Sequence, residues 1–91
     1  MRKIDLSKQA LKFLQSVPPK HGRQLAQKLT ALRMDEAHDV KMLKGTEEEF
    51  LRVDVGEYRI IYRYDQEIVR VSLIGKRNDD EVYKKFLRKH T

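Results

Sequence analysis

The feature that most constrains the fold is a set of three segments rich in β-branched and aromatic residues, joined by very short connections. In the first segment, apolar residues alternate with Arg52 and Asp54, which is typical of a strand with one buried face. Gly56-Glu57 and Asp65-Gln66 are turn candidates between the segments. Strands this close in sequence predict an antiparallel meander over residues 51–55, 58–64 and 68–74.

The alternation also predicts which side chains of the last strand lie on the same face. A period of two places Val69, Val71 and Leu73 together. The opposite face then carries Ile68, Arg70, Ser72 and Ile74. We therefore expect Leu73 to lie on the same face of the sheet as the two valines.

The first third of the chain predicts a short strand and two helices. Polar and apolar residues alternate over residues 2–6, and Ser7 is a suitable N-cap for a helix that follows. Pro18-Pro19 ends this helix and suits the start of the next one, because proline restricts the preceding residue and lacks an N–H. The apolar residues recur at near-helical spacing in both segments: Leu11, Phe13, Leu14 and Val17, then Leu25, Leu29 and Leu32. The two segments predict a helical hairpin.

A polar stretch and a final helix complete the prediction. Residues 35–49 are read as a connecting loop, and Asn78 as the N-cap of a helix with Glu81 in the reciprocal position. Acidic residues begin this helix and basic residues end it, which suits the helix dipole. The predicted order is β-α-α-β-β-β-α, an α+β domain in which a small antiparallel sheet packs on the helical hairpin. The other sheet face is expected to be partly open.

Length and composition exclude several classes of protein. The 91 residues suffice for a single domain, residues 1–91, and contain no cysteine. A disulfide framework, a thiolate zinc site and a cysteine nucleophile are therefore excluded. No apolar run approaches the length of a bilayer span, and the N-terminus lacks a signal-peptide core. We expect a soluble, cytoplasmic chain.

The charge distribution suggests a polyanionic partner. Lys and Arg number 20 against 14 Asp and Glu, a net charge of +6. Residues 1–45 carry this entire excess, with ten basic and four acidic residues, whereas residues 46–91 carry ten of each. A basic surface suits nucleic acid, an acidic protein or an anionic membrane, and composition does not choose among them.

The sequence offers little for metal or cofactor chemistry. His21, His38 and His90 fall in different predicted elements, and none has metal-ligand spacing. The acidic run Glu47-Glu48-Glu49 is better read as a solvated loop than as a metal cluster. We therefore expect no metal and no cofactor.

Arginines within and after the strands are the residues that point to a binding site for an anion. Arg52, Arg59 and Arg77 come from three different elements that neighbouring strands can bring together. Clustered guanidinium groups repel each other unless an anion lies between them, and a phosphate suits arginine because it binds bidentately. Tyr83 follows on the first turns of the final helix, where periodicity alone is equally consistent with packing against the sheet.

These residues belong to an ordered set of short stretches: Leu43-Lys44-Gly45, Arg52-Val53, Gly56-Glu57-Tyr58-Arg59-Ile60-Ile61-Tyr62, Ile74-Gly75-Lys76-Arg77 and Val82-Tyr83. In this order and spacing, the set resembles the RelE family of toxins from bacterial and archaeal toxin–antitoxin pairs. The resemblance covers nearly the whole chain and extends to the RelE/ParE superfamily. It implies a small α+β toxin domain that enters the ribosomal A site and cuts mRNA there, by attack of a ribose 2′-hydroxyl on the adjacent phosphate.

The resemblance also assigns candidate site residues. The family's catalytic positions fall on Arg52, Arg59, Arg77 and Tyr83, while a second strand lysine of the family falls on Phe50, which is a departure. Tyrosine is a plausible base only where nearby cations lower its pKa, and a nucleobase stacked on its ring is an equally fair role. Contacts to ribosomal RNA are expected from basic residues, namely Arg23, Lys28, Lys41, Lys44 and Lys76.

The resemblance implies partners as well as chemistry. These are a RelB-like antitoxin, the ribosome and mRNA, with operator DNA reached only through the antitoxin and no membrane contact. The main alternative is a ParE-like toxin, which inhibits DNA gyrase by binding and has no catalytic duty. A degenerate, non-toxic binding module, suggested by Phe50, and a plain nucleic-acid-binding domain are further alternatives.

Overall fold

The computed structural model describes residues 1–46 and 49–90 of the chain. Its elements follow the order β1 (Lys3–Leu6), α1 (Lys8–Ser16), α2 (Pro19–Arg33), β2 (Lys41–Met42), β3 (Leu51–Val55), β4 (Tyr58–Asp65), β5 (Ile68–Lys76) and α3 (Asp80–Lys89). The strands form one sheet in the order β1-β5-β4-β3-β2, in which β1 pairs parallel to β5 and the other pairs are antiparallel. The predicted α+β class, the meander, the helical hairpin and the C-terminal helix are confirmed.

One strand was not anticipated within the predicted loop at residues 35–49. The short strand β2 pairs Lys41 with Arg52 and Met42 with Leu51, so it adds an edge next to β3. A two-residue strand is too short to show the alternation on which strand prediction depends. Glu47 and Glu48, part of the acidic run in the same predicted loop, lie outside the described residues.

Side chains cap the N-termini of α1 and α3. The Ser7 Oγ atom accepts a hydrogen bond from the Ala10 N–H at 3.1 Å, which confirms Ser7 as the cap of α1. At α3 the predicted cap, Asn78, is wrong by one residue. Asp79 is the cap, and its Oδ1 accepts from the Val82 N–H at 3.4 Å. The chain closes a turn first, because the Asp79 N–H donates to the Lys76 carbonyl at 3.1 Å, and the helix then begins at Asp80.

The predicted facing of β5 is wrong at Leu73, because a bulge interrupts the strand. Ile61 pairs with Leu73, but the next residue of β4, Tyr62, pairs with Val71, so Ser72 is an extra residue. An inserted residue reverses the alternation that follows it. Consequently Ile74, not Leu73, packs with the two valines, and Leu73 points to the opposite face.

The sheet separates two hydrophobic clusters. The larger cluster lies between the sheet and the α1–α2 hairpin, with Leu25, Leu32, Ile60 and Tyr62 fully buried. The smaller cluster lies on the other face, which was expected to be partly open. There α3 contributes Phe86, and the sheet side contributes Phe50, Ile61 and Leu73. None of the helices in the described ranges has the length and apolarity required to cross a membrane.

The smaller cluster generates a stability prediction for Phe50. Its ring is 1% exposed and packs edge to face on Phe86, with ring centroids 5.0 Å apart. We expect Phe50→Ala to lower the free energy of unfolding in urea by about 3–4 kcal/mol, because it leaves a cavity beneath α3. Met42→Ala is the control, since Met42 is 68% exposed, and its effect should stay within about 0.5 kcal/mol. Equal small losses for both variants would contradict the packing of α3 on this face.

Candidate active site

The predicted arginines lie on the sheet face that α3 covers. The short β3–β4 connection sets this arrangement: Gly56 has φ +57°, which glycine adopts without steric cost, and Val55 pairs with Tyr58 on either side of the turn. With that register, Val53 and Ile60 face the larger core, while Arg52 and Arg59 face the other way. Arg77 follows β5 directly.

Backbone hydrogen bonding brings Arg77 to the same end of the sheet. Its N–H donates to the Glu57 carbonyl, in the β3–β4 turn, at 2.9 Å. Its exposed side chain therefore starts beside the strand ends that carry Arg59. Arg59 contacts the carboxylate of Asp54, and the charges of Arg52 and Arg77 act on the same carboxylate.

Asp54 and Arg59 form a charged pair across β3 and β4. The Arg59 Nε atom donates to Asp54 Oδ1 at 2.8 Å, and Nη2 donates to Oδ2 at 3.4 Å. The hydrogen bond from Arg59 is the main reason that the pKa of Asp54 is lowered, and the charges of Arg52 and Arg77 act in the same direction. Asp54 is therefore ionised and partly neutralises the arginines around it.

Tyr83 contacts Arg59 through its ring and the backbone through its hydroxyl. The guanidinium carbon of Arg59 lies 5.3 Å from the centre of the Tyr83 ring, within the range of a cation–π contact. The Tyr83 hydroxyl donates to the Lys76 carbonyl at 2.8 Å. Tyr83 thus joins α3 to the end of β5, and its ring lies on one side of the Arg59 guanidinium group.

Tyr83 could act as a base only if nearby cations lowered its pKa, and this condition is not met. Burial raises the pKa of Tyr83 to about 12; the Arg59 charge lowers it, and Asp54 and Asp79 raise it further. At neutral pH the phenol is therefore protonated, and its proton is already donated to a carbonyl. This geometry favours a contact role for the ring over proton abstraction.

The other predicted binding residues divide between two regions. Lys41 pairs directly with Arg52, and Lys44 lines a surface depression with both, so these three cations lie together. Lys76 is exposed at the end of β5, next to Arg77.

Arg23 and Lys28 lie apart from that group. Both are on α2, which packs against the opposite face of the sheet. Lys28 reaches the edge of the site, because it lines a depression with Asp54, whereas Arg23 is exposed on the helix.

Phe50 belongs to the smaller core rather than to the charged cluster. It packs against Phe86 and against the His90 ring, whose centroid is 4.8 Å away. Beside it runs a groove of about 620 Å³, between α3 and the exposed part of the sheet. Leu73, Val82 and Phe86 line this groove together with charged side chains, including Lys85 and Lys89.

Asp54 is the site residue that sequence reasoning missed. The signal was present, because a two-residue turn at Gly56-Glu57 places Asp54 directly opposite Arg59 in an antiparallel register. Opposite charges at such positions attract.

The described residues contain no cluster of His, Asp or Glu able to hold a metal ion. The ring of His21 instead contacts the hydroxyl of Tyr58, with Nδ1 and Oη 2.7 Å apart. The arrangement offers guanidinium groups and an aromatic ring, which together suit binding of a phosphate next to a nucleobase. The ionised carboxylate of Asp54 pairs with Arg59 beside them.

Comparisons with solved structures identify the same fold in bacterial and archaeal toxins. The toxin of the RelE–RelB complex from Pyrococcus horikoshii superposes with a TM-score of 0.70 at 27% identity, covering 86% of this chain and 97% of that one. The isolated RelE toxin of Escherichia coli gives 0.71 at 22% identity, covering 98% of both chains. A RelBE-type complex from Mycobacterium tuberculosis gives 0.62 at 23% identity, covering 84% of this chain and 98% of that one.

A search of curated proteins found no significant match. A family model does match, over residues 4–81, and it describes the ParE toxin of the type II toxin–antitoxin system parDE. That range includes β3 to β5 and every arginine of the site. The chain therefore belongs to the ParE toxin family of type II toxin–antitoxin systems, within the RelE/ParE superfamily.

Proposed function

We propose that this toxin is a ribosome-dependent endoribonuclease that cleaves mRNA in the A site and so inhibits translation in the cytoplasm. One observation carries the proposal: Arg59 is held in a defined orientation by Asp54 and Tyr83, and the charges of Arg52 and Arg77 act on the same Asp54 carboxylate. Such preorganised cations stabilise charge that develops in a transition state, because they need no reorganisation during the reaction.

The proposed chemistry is a transesterification. The ribose 2′-oxygen forms a bond to the adjacent phosphorus, the bond from phosphorus to the 5′-oxygen breaks, and the 2′-hydroxyl proton leaves as the 5′-oxygen gains one. Arg59 and Arg77 stabilise the phosphorane oxygens, and Arg52 holds a neighbouring phosphate. The Tyr83 ring stacks on a nucleobase or on the Arg59 plane.

Dependence on the ribosome follows from the residues at the site. Arginine is a poor base at neutral pH, and the pKa of Tyr83 is raised to about 12. Catalysis therefore relies on electrostatics and on alignment of the attacking hydroxyl, which the ribosome provides by fixing the codon. The basic residues Lys41, Lys44 and Lys76 extend the same surface toward ribosomal RNA.

The proposal includes a RelB-like antitoxin as protein partner. Related folds from Pyrococcus horikoshii and Mycobacterium tuberculosis are found in toxin–antitoxin complexes. The groove beside Phe50 and Phe86 offers an apolar floor with basic residues for an amphipathic antitoxin segment. Operator DNA is contacted only by the antitoxin.

A ParE-like inhibitor of DNA gyrase is the second candidate, and the family model favours it. In that case the arginines form a protein-binding surface. A supercoiling assay with purified gyrase, run beside primer extension on a reporter mRNA with and without programmed ribosomes, separates the two. Cuts within the A-site codon that require ribosomes support the nuclease, whereas growth arrest with gyrase inhibition and no cuts supports the second candidate.

Arg77→Ala is expected to lower A-site cleavage by at least about 100-fold, because it removes one electrostatic contact to the phosphorane. Arg88→Ala is the matched control, since Arg88 is exposed on the last turn of α3. The measurement is the single-turnover cleavage rate by primer extension. Near-normal cleavage by a folded Arg77→Ala protein would remove Arg77 from the site.

Substitutions at Tyr83 separate a contact role from a proton-transfer role. We expect Tyr83→Ala to lower cleavage about 100-fold and Tyr83→Phe less than about 10-fold, because phenylalanine keeps the ring beside Arg59. Tyrosine ¹³C NMR should show Tyr83 still protonated at about pH 10, since its folded pKa exceeds the unfolded value. If Tyr83 acted as the base, Phe and Ala would be equally inactive and the Tyr83 signal would titrate below its ordinary pKa.

A further inference from the structure

The guanidinium group of Arg59 is restrained on two sides. Asp54 accepts from Nε and Nη2 along one edge, and the Tyr83 ring lies against the group at 5.3 Å. Within residues 1–46 and 49–90, Nη1 makes no hydrogen bond. A guanidinium has five N–H donors, so the end formed by Nη1 and the remaining Nη2 hydrogen keeps its donors for a ligand.

A carboxylate at this position opposes anion binding. Asp54 lines a depression together with Lys41 and Arg52, and it directly faces Arg59. Its negative charge repels a phosphate in the same region, so a surface that served only to attract nucleic acid would do better without it. The pair is also only partly buried, with 34% of the Asp54 side chain and 22% of the Arg59 side chain exposed, so solvent screens its contribution to stability. Attraction of a phosphate therefore does not account for Asp54, whereas its hydrogen bonds to Arg59 fix the orientation of that side chain.

We infer that Asp54 is a positioning residue for Arg59. It holds the Nε edge and so presents the Nη1–Nη2 end to the scissile phosphate. The inference rests on the proposed nuclease function, and it adds a residue that does not touch the substrate. An arginine without this restraint samples several rotamers, and misplacement by about 1 Å can cost about 100-fold in rate.

The chain contains a matched control pair. Asp65 and Arg70 are also five residues apart across a hairpin, and Arg70 Nε donates to Asp65 Oδ2 at the same 2.8 Å. That pair joins β4 to β5 at the opposite end of the hairpin from Arg59 and Arg77. Arg70 Nη1 also donates to Asp5 Oδ2 at 2.7 Å. Asp65→Asn therefore removes the same charge and the same type of contact away from the site, while Arg70 keeps a second partner.

The test compares Asp54→Asn and Asp65→Asn in two measurements on programmed ribosomes. We expect Asp54→Asn to lower the single-turnover cleavage rate at least about 10-fold while its Kd for the ribosome is unchanged or tighter. Asp65→Asn should stay within about two-fold of the wild type in both. A wild-type rate in Asp54→Asn, or equal losses in both variants, would overturn the inference.

A measurement on the free protein tests the role of Asp54 without relying on mRNA cleavage. The ¹⁵N-detected Nε–H signal of Arg59 should be sharp and slow to exchange in the wild type and in Asp65→Asn, but broadened in Asp54→Asn. If the wild type fails to cut mRNA, the proposed function fails, and this signal alone decides whether Asp54 orders Arg59. An Arg59 signal that is already broad in the wild type, or that is unchanged in Asp54→Asn, overturns the inference without involving cleavage.

Discussion

The register of the β3–β4 hairpin is the constraint on which the rest of the structure depends. Side chains alternate along a strand, so a shift of one residue would exchange the two faces. The turn at Gly56-Glu57 pairs Val53 with Ile60 toward the helical hairpin and Asp54 with Arg59 toward α3. The larger core and the charged site are thus two consequences of the same pairing.

The position of α3 links this register to function. Phe86 packs on Phe50 and Ile61, which holds the helix on the sheet, and Tyr83 then stands beside Arg59. The hydrogen bond from Tyr83 to the Lys76 carbonyl ties the start of the helix to the strand that leads to Arg77. Apolar packing at one end of α3 therefore supports the arrangement of charges at the other end.

Much of the architecture could be predicted from the sequence because it depends on local periodicity. The three strands, the proline-separated helices and the Ser7 cap each follow from residues that are neighbours in the chain. The bulge at Ser72 could not be predicted in this way, since an alternating pattern does not reveal an inserted residue. The burial of Phe50 was also missed, because it depends on the docking of α3, far along the sequence.

The sequence predicted which basic residues belong to the candidate site, but not the carboxylate that pairs with them or the pKa of Tyr83. Arg52, Arg59 and Arg77 were expected near one another, and the charges of all three act on the Asp54 carboxylate. The role of Asp54 was missed although the hairpin register contained it. Tyr83 is a half-buried hydrogen-bond donor with a raised pKa, not a group whose pKa is lowered by nearby cations. Burial of a phenol cannot be judged from spacing alone.

The most direct test of the account is a structure of the protein on a ribosome whose A-site codon carries a 2′-O-methyl group, which prevents cleavage. The account predicts the protein in the A site, with the phosphate that follows the blocked ribose within hydrogen-bond distance of Arg59 and Arg77. It also predicts that the contact between Arg59 and Asp54 is preserved. A bound protein whose arginines face away from the mRNA, or no binding at the A site, would contradict it.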